Sequence, residues 1–336
     1  MRRSARFLFC LVLSFLILAA VTVASAENYS VWVNGEQFTD EKLTIACGSG
    51  TATLTPPAGS GSRYTVTLTD AVISGCYTYS GNRYGVYSAY DLDVIVKGTN
   101  TIALKIVSAV GLSSKRNLTL KGDGDLTVVN SNGSCGILAD SSHVNIAMNG
   151  DLTVSGGKFG IMTRSMVDFT GAGNITITGC DTPVRFEEHS RFFTLSGSGN
   201  VKLAGTNYGI SFGEYSKLEL KGSGTVTISG GKCGVRFMTQ NEYSATGGIR
   251  LNGTESPVTI FTTGGSKAIV DGDVSGFSMS HYKVTGDPDE SKVVYTYFMN
   301  LPPTGDTASP LLWSLLAAVA SCAAVLLLRA RRCGSN

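Results

Sequence analysis

The stretch Leu118–His143 reads LTLKGDGDLTVVNSNGSCGILADSSH, and Leu218–Phe237 repeats its outline as LELKGSGTVTISGGKCGVRF. Each holds three short aliphatic or β-branched runs separated by Gly, Asn, Asp and Ser, the pattern of strands and turns. In the first they are Leu118-Thr119-Leu120, Leu126-Thr127-Val128 and the run beginning at Gly136-Ile137. The third run carries a mark, a small residue followed by an aliphatic one. The mark recurs as Gly85-Val86, Gly111-Leu112, Gly136-Ile137, Gly160-Ile161, Pro183-Val184, Gly209-Ile210, Gly234-Val235 and Ala268-Ile269. Successive spacings are 26, 25, 24, 23, 26, 25 and 34 residues. A three-strand unit this short cannot bury its apolar face alone, but stacked units share one continuous core. The expectation is an all-β chain: a single-stranded right-handed parallel β-helix with three strands per coil and about 8 coils. A propeller or sandwich would show longer units, or two-residue hairpins between alternating strands.

Side chains alternate along a strand, so positions −1, +1 and +3 from the mark are expected to share one face. The +1 column is aliphatic throughout, from Val86 to Ile269, and points inward. The −1 column (Tyr84, Val110, Cys135, Phe159, Tyr208, Cys233) and the +3 column (Phe186, Phe212, Phe237) are expected to join it in the core. The recurring Gly98, Gly122, Gly171, Gly197, Gly222 and Gly253 fit corners that need positive φ. The stack is expected over residues 63–275, after a less regular N-terminal cap over 27–62. Residues 276–300 lose the period and read as a closing cap and spacer.

Both ends look like targeting segments. Residues 1–26 carry Arg2, Arg3 and Arg6, then an apolar run, then Ala24-Ser25-Ala26. That is the order of a secretory signal peptide, with cleavage at the Ala24/Ala26 small-residue site. Over 301–336 the chain gives Leu301-Pro302-Pro303-Thr304-Gly305, an uncharged apolar segment over 311–328, and a basic tail with Arg329, Arg331 and Arg332. The apolar segment is long enough to cross a bilayer, with the arginines on the cytoplasmic side. The pentapeptide, apolar span and basic tail together resemble the sorting signal of sortase-anchored (LPxTG) surface proteins of Gram-positive-type cells. The resemblance implies that a sortase cysteine attacks the Thr304 carbonyl, expels Gly305, and passes the chain to a peptidoglycan-precursor amine. The expected location is therefore outside the cell, covalently attached to the wall after transient membrane insertion.

Charge and cysteine content exclude several classes. The whole chain has 27 Lys+Arg and 25 Asp+Glu, but six of the arginines and Asp306 lie outside residues 27–304. The remainder has 21 basic and 24 acidic residues, a net of −3, with no footprint for nucleic acid. Five cysteines remain there, Cys47, Cys76, Cys135, Cys180 and Cys233, an odd number with no C-x-x-C spacing. Cys47 with Cys76 is the one pairing entertained.

The segment from Tyr64 to Ile102, YTVTLTDAVISG…YGVYSAYDLDVIVKGTNTI, is similar to the repeat of carbohydrate-binding parallel β-helix domains of secreted proteins. More distantly it resembles the pectate-lyase-like fold. The resemblance implies a polysaccharide or host-surface ligand, with Ca²⁺ as a candidate cofactor. From the residues themselves, Tyr77, Tyr79, Tyr87 and Tyr90 cluster near the first coils and suit stacking on sugar rings. Arg164, Arg185 and Arg236 fall on surface columns and could hold uronate or sulfate groups. Asp123 with Asp125, and Asp271 with Asp273, are paired acidic turns, candidate metal ligands that fit no EF-hand loop. No constellation for catalysis emerges: Asp140 faces Glu187 and Glu188 across a coil presenting Arg164, and His143, His189 and His281 are scattered. The leading expectation is binding without catalysis. A polysaccharide lyase or glycoside hydrolase on the same fold stands beside it, as does a passive stalk or protein-binding adhesin.

Overall fold

In a computed structural model the described residues are 28–297, apart from 59–62, 141–142, 188–190, 214, 239–246, 252–256, 266, 271, 274–281 and 288–289. The signal-peptide residues Ala24 and Ala26, the motif Leu301-Pro302-Pro303-Thr304-Gly305, the segment 311–328 and Asp271 lie outside them.

Every described element is a β-strand, and the chain winds as a parallel β-helix. A representative coil runs from Leu118–Gly122 on the first sheet to Asp125–Val129 on the second and Cys135–Ala139 on the third. The next coil repeats this as Val144–Met148, Leu152–Ser155 and Phe159–Thr163, each parallel to its predecessor. From the coil that starts at Asp91–Lys97 to the one that starts at Lys217–Leu220, all three strands have parallel neighbours on both sides. Flanking coils begin at Arg63–Thr69 and Gly247–Leu251. Stacking in this register turns every strand into a centre strand and leaves exposed edges only at the two ends.

The ends are covered by antiparallel strands. Asn28–Val33 pairs antiparallel with Asn82–Ser88 on the third sheet, and the hairpin Thr44–Cys47/Gly50–Thr55 pairs antiparallel with Arg63–Thr69 on the first. The turn Asn34-Gly35 has positive φ at both residues, the requirement of a tight hairpin. Asn34 Oδ1 accepts hydrogen bonds from the amides of Ser74 and Gly75, which ties this cap to the first coil. At the other end Lys292–Tyr297 lies antiparallel on Val258–Thr262.

The core is one continuous column. Val86, Leu112, Ile137, Ile161, Val184, Ile210 and Val235 are fully buried, as the +1 pattern requires. Phe186, Phe212 and Phe237 stack at +3 with centroids 4.9 Å apart and planes within 15°. Each such pair contributes about 0.5–1.5 kcal/mol beyond its buried area.

The −1 column is a correction. Tyr84, Val110 and Cys135 pack with Tyr87 and Leu138 in a separate cluster on the outside of the third sheet. The cause is the Gly of the mark. A Cβ built on Gly111, Gly136, Gly160 or Gly234 would meet a γ-carbon of Val128, Val154, Ile177 or Ile260 at 2.2–2.5 Å, so each glycine faces the interior. With both the glycine and the +1 aliphatic turned inward, strict alternation breaks, and −1 and +2 share the outer face. The corner glycines need a similar amendment. Gly98 and Gly122 do have positive φ. Gly171, Gly197 and Gly222 are instead required by space, because an added Cβ would stand 1.9–2.1 Å from a carbonyl oxygen of the preceding coil. Gly253 lies outside the described residues.

Candidate functional site

The outer face of the third sheet gathers most of the chemistry that the sequence singles out. Its +2 column is set by strand register as Tyr87, Ser113, Leu138, Met162, Arg185, Ser211 and Arg236. The column is aromatic at one end, aliphatic in the middle and cationic at the other.

At the aromatic end three elements converge. The cap strand supplies Trp32, the short strand Tyr77–Tyr79 supplies its two tyrosines, and Asn82–Ser88 supplies Tyr84 and Tyr87. Ser80 and Gly81 both have positive φ and form the tight turn that folds Tyr77–Tyr79 back on Asn82–Ser88. Trp32 and Tyr77 stack with centroids 4.2 Å apart and planes 13° apart, and Tyr79 continues the stack from Tyr77 at 6.3 Å and 14°. Tyr87 lies beneath, 5.4 Å from Tyr77 and 5.6 Å from Tyr79. Tyr84 and Tyr87 are buried, whereas Tyr79 is 44% exposed. Burial first, then the neighbouring tyrosines, pushes the Tyr87 hydroxyl up to about 12. Lys115 Nζ stands 5.9 Å from the Tyr79 ring centroid and is ion-paired to Asp140. The result is a near-parallel aromatic stack whose exposed ring is Tyr79, with a charged pair at its rim.

Three of the four tyrosines expected to cluster do so. Tyr90 does not: its ring sits 5.9 Å from Tyr64 and under Arg116, around the corner from the third sheet. The reading of the sequence missed Trp32, which is remote in the chain and reaches the site only through antiparallel cap pairing. It also missed Tyr84, which strict alternation placed in the core.

At the cationic end the three arginines separate. Arg164 is exposed and pairs with Glu187 through Nε, at 3.3 Å. Arg185 is half-buried and donates from Nη1 to Ser211 Oγ at 2.8 Å. Arg236, also half-buried, donates from Nη1 to Tyr208 Oη at 2.9 Å, and its guanidinium lies 5.1 Å from the Tyr208 ring centroid. Burial lowers the Arg185 pKa; Glu187 opposes that and Arg236 adds to it.

The acidic turn with Asp123 and Asp125 belongs to a structural ladder. Asp125 Oδ1 accepts from the Asp151 amide, Asp151 Oδ1 from the Asn174 amide, Asn174 Oδ1 from that of Asn200, and Asn200 Oδ1 from that of Thr225. Asp123 Oδ1 accepts from Asn149 Nδ2. Asp273 falls in the short strand Gly272–Asp273. Among the described residues no group of three or more His, Cys, Asp or Glu is placed to hold a metal ion. Cys47, Cys76, Cys135, Cys180 and Cys233 are all free thiols, so the Cys47–Cys76 pairing does not form.

The outer face of the first sheet holds its own carboxylates. Asp93 is bracketed by Arg63 at 2.7 Å and Lys121 at 2.8 Å, and Asp168 meets His143 Nε2 at 2.8 Å. Burial works to raise both, but hydrogen bonds from Lys121 and Arg63 to Asp93, and from His143 and Thr194 to Asp168, outweigh it. Both carboxyls are held below the ordinary range, the opposite of what a general acid needs. On the third sheet Asp140 and Glu187 are each engaged with a cation. Comparison of the chain with protein-family models, with curated proteins and with solved structures finds no match.

Proposed function

We propose that the protein is exported, fixed to the cell wall through Leu301-Pro302-Pro303-Thr304-Gly305, and binds a polysaccharide on the outer face of its third sheet without catalysis. One observation carries the binding reading: Trp32, Tyr77 and Tyr79 form a stacked aromatic surface on the outside of the solenoid, over the buried Tyr84 and Tyr87, with Tyr79 its exposed ring. Pyranose rings present C–H faces that lie flat on aromatic planes, and tyrosine hydroxyls at the edge can exchange hydrogen bonds with sugar hydroxyls. The platform is assembled on paired strands, which makes it pre-organised and lowers the ordering cost of binding. Anchoring rests on the pentapeptide, the apolar segment 311–328 and the arginines after it, with a sortase and a wall-precursor amine as partners.

The test is retention of the full-length protein on immobilised plant and host polysaccharides, with assays for new reducing ends and unsaturated products. Retention without product, weakened by Tyr77→Ala, supports the reading. Product formation replaces it with a lyase or hydrolase. Silence on every glycan leaves a stalk or protein-binding adhesin.

A further inference from the structure

We propose that Arg185 and Arg236, with Ser211 and Tyr208 between them, form a clamp for two acidic groups of a linear anionic polysaccharide lying along the axis of the stack. This rests on the glycan reading above and adds the charge of the ligand. The register Arg185↔Ser211↔Arg236 places the two guanidiniums on one outward column, two rungs apart. At the spacing of paired strands that is roughly 9.5 Å between backbone positions.

Both arginines are half-buried, and their hydrogen-bond partners are neutral hydroxyls. A desolvated guanidinium is normally matched by a carboxylate or phosphate, because a hydroxyl does not offset its charge. Glu187, the carboxylate that acts on Arg185, is already held by Arg164. Charge of one sign therefore accumulates along Arg185–Ser211–Arg236, with Lys232 adding to it 5.6 Å from the Tyr208 ring centroid. An anion placed there would relieve the mutual repulsion of the two guanidiniums. It would also meet at least one planar fork fixed in orientation, since Arg236 lies over the face of Tyr208. The chain outside its two end segments is net acidic, so this patch is a local arrangement, not a sample of a basic surface. The same column continues through Met162, Leu138 and the buried Ser113 to Tyr87, which gives a ligand chain an uncharged path from the clamp to the aromatic stack. Arg164, which the sequence groups with the other two, is outside the clamp.

The experiment measures binding of the full-length protein to immobilised heparin (sulfated), polygalacturonate (carboxylated) and dextran (neutral) over a salt series. Arg185→Gln and Arg236→Gln are each expected to weaken retention on the preferred polyanion at least about tenfold, the loss typical of a charge-assisted hydrogen bond. Their retention on dextran should not change. Arg164→Gln should stay within about twofold on all three, as an exposed ion pair allows. The heparin and polygalacturonate arms tell sulfate from carboxylate recognition. Arg185→Lys and Arg236→Lys preserve charge and folding while removing the planar fork, and should also lose affinity. Wild-type affinity in the Lys variants, or equal losses in the Gln variants and Arg164→Gln, overturns the clamp. Dextran binding without polyanion preference overturns the clamp alone, whereas no binding to any of the three removes the glycan reading with it.

Discussion

A Cβ built on Gly160 would stand 2.2 Å from Cγ2 of Ile177 and 2.6 Å from the carbonyl oxygen of Pro183. One contact is with a core side chain and the other with the backbone of the next coil, so neither can yield without moving a sheet. Gly160→Ala should therefore cost about 1–3 kcal/mol by overpacking. Gly264→Ala, whose Cβ would meet only the Gly231 carbonyl at 3.2 Å, should stay within about 0.5 kcal/mol. Urea denaturation followed by circular dichroism reads both; equal effects would remove the inward-glycine explanation of the outer columns.

The aromatic platform makes a residue-specific forecast. Trp32→Ala and Tyr77→Ala should each lower glycan affinity by about three- to tenfold, the worth of an aromatic contact. Tyr90→Ala should have no effect, because its ring lies with Tyr64 and Arg116. Calorimetric titration with whichever oligosaccharide is retained decides it, and a Tyr90 effect as large as the Tyr77 effect would move the site.

Acid stability should depend on Asp93 and Asp168. Both have folded-state pKa values below their unfolded ones. Between the two values the unfolded chain binds more protons, so stability rises with pH there. Their contribution is complete above the unfolded carboxylate value of about 3.9 and is lost as pH falls through the folded one. Asp93→Asn and Asp168→Asn should flatten the stability profile in that acid window and leave its slope near neutrality alone. Unfolding midpoints measured from pH 2 to 7 would show an unchanged acid limb if the ion pairs with Arg63, Lys121 and His143 contribute nothing.

The Asp/Asn ladder separates a scaffold role from metal binding. Asp125→Asn keeps the oxygen that accepts from the Asp151 amide and should be nearly neutral, while Asp125→Ala should cost about 1 kcal/mol. Added calcium should leave the melting temperature of the wild type unchanged. A calcium-dependent rise abolished by Asp125→Asn would restore the ion.

Anchoring has its own assay. Thr304→Ala removes the residue whose carbonyl the sorting reaction would attack in its usual context. The variant should remain in the membrane fraction, whereas muramidase treatment releases the wild type with wall fragments. Wild-type release of the variant would reject the sorting motif.

The solenoid was legible because its period is carried by residue types with one physical use each: the aliphatic +1 column, the recurring corner glycines and the β-branched runs. Its faces were less legible. Alternation predicts that Tyr84 and Val86 share a side, and nothing in the local pattern announces that Gly85 breaks the parity by turning inward with Val86. The aromatic site was half-legible, since Tyr77, Tyr79 and Tyr87 are neighbours in sequence. Trp32 joins them only through the pairing Trp32↔Tyr87, which depends on where the cap strand docks. Column position groups Arg164, Arg185 and Arg236 together, and only side-chain placement distinguishes the one ion-paired to Glu187 from the two whose hydrogen-bond partners are hydroxyls.

The parallel register that joins Tyr87 to Arg236 has a bearing on how such a surface can evolve. Distance along it is quantised: inserting or deleting a coil moves the guanidiniums relative to the aromatic rings by one strand spacing of about 4.8 Å, and no smaller step exists. A polymer held at both places must have a repeat commensurate with that rung. Specificity on such a scaffold is tuned by arithmetic along the column, one whole coil at a time.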